Sequence, residues 1–101
     1  MKNIVITGAT SGIGNLLVKE FIKQGCRVFA GYRNVKLKKE LKMISERVVP
    51  FHIDMSKKWS ISEATKSVLE KLGEDKIDIL INAAGCVVAG PMECFRVDNL
   101  G

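Results

Sequence analysis

Short apolar runs alternate along the chain with longer stretches in which apolar residues recur at helical spacing. Ile4-Val5-Ile6-Thr7 is apolar on both faces, as a central strand of a parallel sheet should be. The pattern then changes to Ile13, Leu16, Leu17, Phe21 and Ile22, a broad apolar helix face. Gly25 follows in the position a helix-ending glycine prefers. Arg27-Val28-Phe29-Ala30-Gly31 reads as a second strand. Asn34 is placed to cap a helix whose apolar positions are Leu37, Leu41 and Ile44. A third strand spans 48–53, and its Pro50 suggests a sheet edge or a strand start. Ser60-Ile61-Ser62-Glu63 has capping-box spacing, with a helix start one turn earlier as the alternative. Ile61, Ala64, Val68 and Leu72 mark the buried face of this third helix, and Gly73 ends it. Residues 77–81 form a fourth strand. Residues 82–91 read as a loop rich in small residues, and another helix is expected from Val97 onward.

The order β-α-β-α-β-α-β implies right-handed crossovers and a parallel sheet with helices on both faces. The fold class expected is therefore α/β, a doubly wound parallel sheet of Rossmann type ordered 3-2-1-4-5. With 101 residues there is room for one domain. A 47 % hydrophobic share argues against wholesale disorder. No apolar run approaches the roughly 20 residues of a membrane span, and the N-terminus lacks the pattern of a signal peptide, so a cytoplasmic location is expected. Cys26, Cys86 and Cys94 are odd in number and form no C-x-x-C, which points to reduced thiols rather than disulfides or zinc. The net charge of +5 is concentrated at Arg33, Lys36, Lys38, Lys39 and Lys42. Leu37, Leu41 and Ile44 run through the same stretch, so these cations read as the wet face of a helix and not as a nucleic-acid site.

The chemistry lies in the turn after the first strand, Thr7-Gly8-Ala9-Thr10-Ser11-Gly12-Ile13-Gly14. A glycine-rich turn between a strand and a helix offers unpaired N–H groups to a phosphate. There Gly8 allows the tight turn, Gly12 lets a pyrophosphate approach, and Gly14 lets helix and strand pack closely. No Gly-Lys-Ser/Thr follows, which excludes a Walker A loop.

The T-G-x-x-x-G-x-G spacing resembles that of the short-chain dehydrogenase/reductase family. His52-Ile53-Asp54-Met55-Ser56 is similar to the family's segment after the third strand. Ile77-Asp78-Ile79-Leu80-Ile81-Asn82-Ala83-Ala84-Gly85 is similar to its fourth strand and N-N-A-G signature, with Ala83 in place of the second asparagine. The resemblance spans essentially the whole chain and marks 1–101 as an incomplete NAD(P)-binding domain. It implies cofactor contacts from Gly8, Thr10, Ser11, Gly12, Ile13, Gly14, Tyr32, Arg33, Asp54, Met55, Asn82, Ala83, Ala84 and Gly85, with Asp54 and Met55 meeting the adenine. At the end of the second strand Gly31-Tyr32-Arg33 offers no carboxylate for the ribose hydroxyls. Arg33 could instead meet a 2′-phosphate, so NADP(H) is expected over NAD.

The family's reaction uses a serine and a Tyr-x-x-x-Lys pair. Tyr32-x-x-x-Lys36 has the spacing but lies at the adenosine end, so no residue here is assigned as catalytic. Asp98 and Asn99 fall near the start of the expected fifth helix, and Asn99 reads as structural. The function implied is the cofactor-binding part of an NADP(H)-dependent oxidoreductase of alcohols or carbonyls. Residues 86–100 resemble members acting on lipid-like alcohols, and the parent enzyme is expected to be a homo-oligomer. A non-catalytic NADP(H)-binding module and a non-functional remnant are the alternatives. Ending near the fourth strand would leave that strand an exposed apolar edge, so low stability or association is expected of the isolated chain.

Overall fold

The computed structural model describes residues 1–10 and 12–83, together with the backbone of two further strands at 86–89 and 93–96. The elements follow the alternation expected: β1 (Asn3–Thr7), α1 (Gly12–Lys23), β2 (Arg27–Tyr32), a 3-10 turn (Val35–Leu37), α2 (Lys38–Ile44), β3 (Val48–His52), α3 (Lys58–Leu72) and β4 (Ile79–Asn82). Two strands then follow, β5 (Cys86–Ala89) and β6 (Glu93–Arg96). The sheet order is β3-β2-β1-β4-β5-β6. β1 pairs in parallel with β2 and β4, and β2 with β3, which gives the doubly wound parallel arrangement.

Side-chain alternation along the strands separates two cores. Ile4, Ile6, Val28 and Ala30 point to one face and pack with Val18 of α1 and Leu41 of α2. Val5, Phe29 and Phe51 point to the other and pack with Ala64, Val68 and Leu72 of α3. Pro50 lies on the edge strand β3, where a missing N–H costs no ladder bond to a further strand. Gly25 and Gly73 both take positive φ where α1 and α3 stop. Asn34 Oδ1 accepts from Lys36 N–H at 3.0 Å and so caps the 3-10 turn that leads into α2. Lys36, Lys38, Lys39 and Lys42 are exposed around the buried Leu41, which is the wet face the spacing implies.

Several expectations need correction. Beyond β4 the sheet is not parallel: β5 runs antiparallel to β4, and β6 antiparallel to β5. The span 82–91 therefore contains a strand, because the Cys86–Ala89 backbone satisfies the N–H and C=O groups along β4. The bare β4 edge expected from the sequence is accordingly covered. The fourth strand starts at Ile79, not Ile77: Asp78 Oδ2 instead accepts from the backbone N–H of Asn3 at 2.7 Å. α3 starts at Lys58, the earlier start the sequence left as the alternative, and Ser60 is buried rather than a cap. Ile13 and Leu16 are exposed and not on the buried face of α1. The helix expected from Val97, with Asp98 and Asn99, lies outside the described residues.

Candidate functional site

The C-terminal ends of β1, β2, β3 and β4 gather most of the residues singled out above. The β1–α1 turn is held from both sides: Ala9 N–H donates to Gly31 O of β2 at 2.9 Å, and Ala83 N–H donates to Thr7 O at 3.0 Å. Gly8 takes φ +69°, a left-handed conformation that a side chain would strain.

The two helical glycines play different parts. A Cβ at Gly14 would lie 2.1 Å from Gly8 O and 3.0 Å from Ala9 Cα, so the helix rests directly on the turn. A Cβ at Gly12 would meet nothing within 4 Å. The space over Gly12 is open at the first residue of α1, where backbone N–H groups lack intrahelical partners. Open space at the positive end of a helix leaves room for the pyrophosphate of a dinucleotide. Thr10 lies in the same turn and Ile13 is exposed beside it. Ser11, Ala84 and Gly85 lie outside the described residues.

At the β2 end Arg33 is exposed and Tyr32 is not. The Tyr32 ring is 6 % exposed within the α1/α2 core and meets His52 edge-on at 5.6 Å. The expected Tyr32 contact to a nucleotide is thus corrected to a packing role, because strand alternation turns its ring inward.

At the β3 end Ile53 N–H donates to Tyr32 O at 2.9 Å, and the chain then turns sharply. Asp54 Oδ1 accepts from Ser56 N–H at 3.0 Å and from Ser56 Oγ–H at 2.6 Å. These two bonds, the side-chain one first, hold the Asp54 carboxyl below its ordinary value. Partial desolvation opposes them, and the charges of Lys57 and Arg33 add to them. Asp54 N–H donates to Ser60 Oγ at 2.8 Å. Met55 is half-exposed and borders an apolar cleft of about 230 Å³ with Thr7, Ile53 and Leu80. Thr7 Oγ1 is buried at this cleft and has no hydrogen-bond partner among the described residues. The sequence reading quoted Ser56, Ser60 and Gly31 without the structural roles they take here. The capping-box pattern drew attention to Ser60 for a different role. Gly31 gave no signal, although a Cβ there would come within 2.9 Å of the Phe51 ring.

Among the described residues no cluster of three or more His, Cys, Asp or Glu could hold a metal, and no helix is long and apolar enough to cross a membrane. A family model for short chain dehydrogenase matches residues 2–100. The chain belongs to the short-chain dehydrogenase family. It is 34 % identical over 100 residues to short-chain dehydrogenase/reductase family 9C member 7 of Mus musculus, covering 97 % of this chain and 32 % of that protein. It is 39 % identical over 111 residues to 17-beta-hydroxysteroid dehydrogenase type 6 of Rattus norvegicus, covering 99 % and 35 %. Among solved structures, a variant of actinorhodin polyketide ketoreductase with NADPH superposes with TM-score 0.73 at 32 % identity, covering 83 % of this chain and 33 % of that one. The 3-ketoacyl-(acyl-carrier-protein) reductase of Brucella melitensis, complexed with NADH, gives 0.70 at 32 % identity, covering 78 % and 32 %. The chain thus spans about a third of the length of these relatives. These neighbours support binding of a nicotinamide cofactor.

Proposed function

We propose that residues 1–101 are the cofactor-binding part of an NADP(H)-dependent oxidoreductase that interconverts an alcohol and a carbonyl compound. The observation that carries the choice of nucleotide is the β2 end, where the exposed Arg33 stands and no carboxylate does. A carboxylate there would accept from both ribose hydroxyls and repel a 2′-phosphate, whereas a guanidinium attracts one. The remaining contacts follow the chain: the pyrophosphate over Gly12 at the start of α1, and the adenine at the Asp54-Met55 turn. Thr10, Ser11, Ile13, Asn82, Ala83, Ala84 and Gly85 complete the set, with Gly8 and Gly14 shaping the turn. The cofactor supplies hydride chemistry. The protein's part here is to bind and orient it, and no residue of this set is given a catalytic role.

The test is a titration of NADP(H) and NAD(H) into wild type and Arg33→Ala, read by melting temperature and by nicotinamide fluorescence. Only binding to the native state raises the melting temperature, by about 2.7 kcal/mol of stability at a hundredfold excess over Kd. A rise with NADPH that exceeds the rise with NADH, and that Arg33→Ala removes, supports the proposal. Equal loss for both nucleotides refutes the choice of NADP(H). No response to either refutes nucleotide binding.

A further inference from the structure

We infer that the outer face of the α1/α2 layer docks on an anionic lipid bilayer, with Lys19, Lys23, Lys39 and Lys42 meeting lipid phosphates and Leu16 and Met43 entering the boundary with the acyl chains. None of these six residues belongs to the proposed nucleotide site.

The two helices cover the same side of the sheet, where Val18 of α1 and Leu41 of α2 are buried. At about 100° per residue Leu16 and Lys23 lie opposite the buried Gly14–Val18 line, and Lys39 lies opposite Leu41. Lys19, Lys42 and Met43 stand on the shoulders of the same outer face, and all six side chains are exposed.

Positive charge is concentrated on this side of the sheet. α1 and α2 together carry Lys19, Lys23, Lys38, Lys39 and Lys42 against Glu20 and Glu40. α3, on the other side, carries Lys58, Lys66 and Lys71 against Glu63 and Glu70, close to balance. Among the described residues none of the α1 and α2 lysines takes part in an ion pair. Solvation alone asks only for polar groups, yet Leu16 is 67 % exposed and Met43 85 % among these cations. Between the helices runs an open trough of about 620 Å³, with Ile22, Met43 and Ile44 as its apolar lining and Lys19 and Lys23 beside them.

A basic helical face with protruding apolar side chains suits the bilayer interface. There phosphates attract the ammonium groups, and apolar tips reach the first carbons of the chains. Nucleic acid would use the cations but leave Leu16, Met43 and the trough in water. The contact is peripheral, since no helix among the described residues is long and apolar enough to cross a membrane.

The experiment is cosedimentation of the protein, at its natural length, with two kinds of vesicle. One is phosphatidylcholine alone, and the other is equal parts phosphatidylcholine and phosphatidylserine. Wild type is expected on the anionic vesicles at low salt and is released at high salt, because screening shortens the reach of the lysines. Near an anionic surface each lysine contributes about fivefold to partitioning, so Lys23→Gln with Lys39→Gln lowers it roughly 25-fold. Met43→Ser lowers it roughly tenfold, the worth of one or two methylene-sized groups taken out of water. Lys58→Gln with Lys66→Gln removes the same charge from α3 and leaves partitioning unchanged. All these positions are exposed, so melting temperatures stay at the wild-type value and report that each variant folds. Equal loss from the two lysine pairs shows attraction by net charge alone and overturns the docking face. Partitioning that survives both high salt and the Lys23 and Lys39 changes puts the attachment elsewhere and overturns it too. No partitioning of wild type onto the anionic vesicles overturns it outright and leaves the face to an acidic protein or to solvent.

Discussion

Gly14→Ala and Gly12→Ala are chemically identical changes two residues apart, and the structure assigns them opposite consequences. At Gly14 the new methyl would sit 2.1 Å from Gly8 O, 2.9 Å from Gly8 C and 3.0 Å from Ala9 Cα. The first contact is more than an ångström inside ordinary contact, and all three atoms are backbone, so no rotamer change relieves it. Overpacking of this kind costs about 1–3 kcal/mol, with rigid surroundings at the high end. Alanine's better helix propensity offsets about 0.8–1 kcal/mol. The expected net loss is about 1–2 kcal/mol, which at this size lowers Tm by about 4–16 °C. Relief requires moving the Gly8 turn, so nucleotide affinity falls as well. At Gly12 nothing lies within 4 Å, and alanine is compatible with the helical backbone, so Tm stays level or rises slightly. The methyl nevertheless enters the open space over the helix start, where the pyrophosphate is proposed to lie, and NADPH affinity is expected to fall roughly tenfold. Thermal melts and cofactor titrations on the two variants separate the effects. A Gly14→Ala protein as stable as wild type refutes the packing argument. A Gly12→Ala protein with undiminished affinity refutes the placement of the pyrophosphate.

Arg33→Ala is expected to weaken NADP(H) by about 10–100-fold, the range of a hydrogen bond between charged groups, and to leave NAD(H) within about twofold. Isothermal titration with both nucleotides checks it. Asp54 has a folded-state pKa below its ordinary value of 3.8, so it favours the folded state at neutral pH. That contribution is present above about pH 4 and is lost as pH falls through the folded value. Carbon-detected NMR titration should find the midpoint below 3.8, and Ser56→Ala should move it upward. Phe29 is fully buried between the sheet and α3, so Phe29→Ala should cost about 3–5 kcal/mol in urea unfolding. A loss under 1 kcal/mol would contradict the two-core description.

The parallel half of the fold was legible because its strands are β-branched runs and its helices are punctuated by glycines that take positive φ. The glycine turn was legible for a related reason: its spacing fits few other structures. The β5–β6 pair was missed, since it forms against the edge that β4 offers. Tyr32 was misplaced because the sequence says which residues end a strand but not which face the last one takes. With Ala30 on the α1/α2 face, period-two alternation sends Tyr32 to the same side, into the core. The hydrogen bonds that hold Asp54 were invisible for a further reason. They join residues of the turn to Ser60 of the following helix, and neither serine departs from what a polar helix start would contain.

The misreading of α1 links fold and site most closely. Counting apolar positions put Ile13 and Leu16 on the buried face, yet they are 64 % and 67 % exposed, while Gly14 and Val18 are buried. At 100° per residue Leu16 lies nearly opposite the Gly14–Val18 line. The face that docks is centred on a residue with no side chain, so a hydropathy count cannot see it. Gly14 sets the rotation of the helix by letting its backbone touch Gly8, and that contact also brings Gly12 to the open side of the turn. Packing of α1 and the open space at its first residue are therefore one geometric fact. A compensated Gly14→Ala protein, restabilised elsewhere, should regain its melting temperature and still bind nucleotide poorly. Recovery of affinity along with stability would show that the turn tolerates another rotation of the helix.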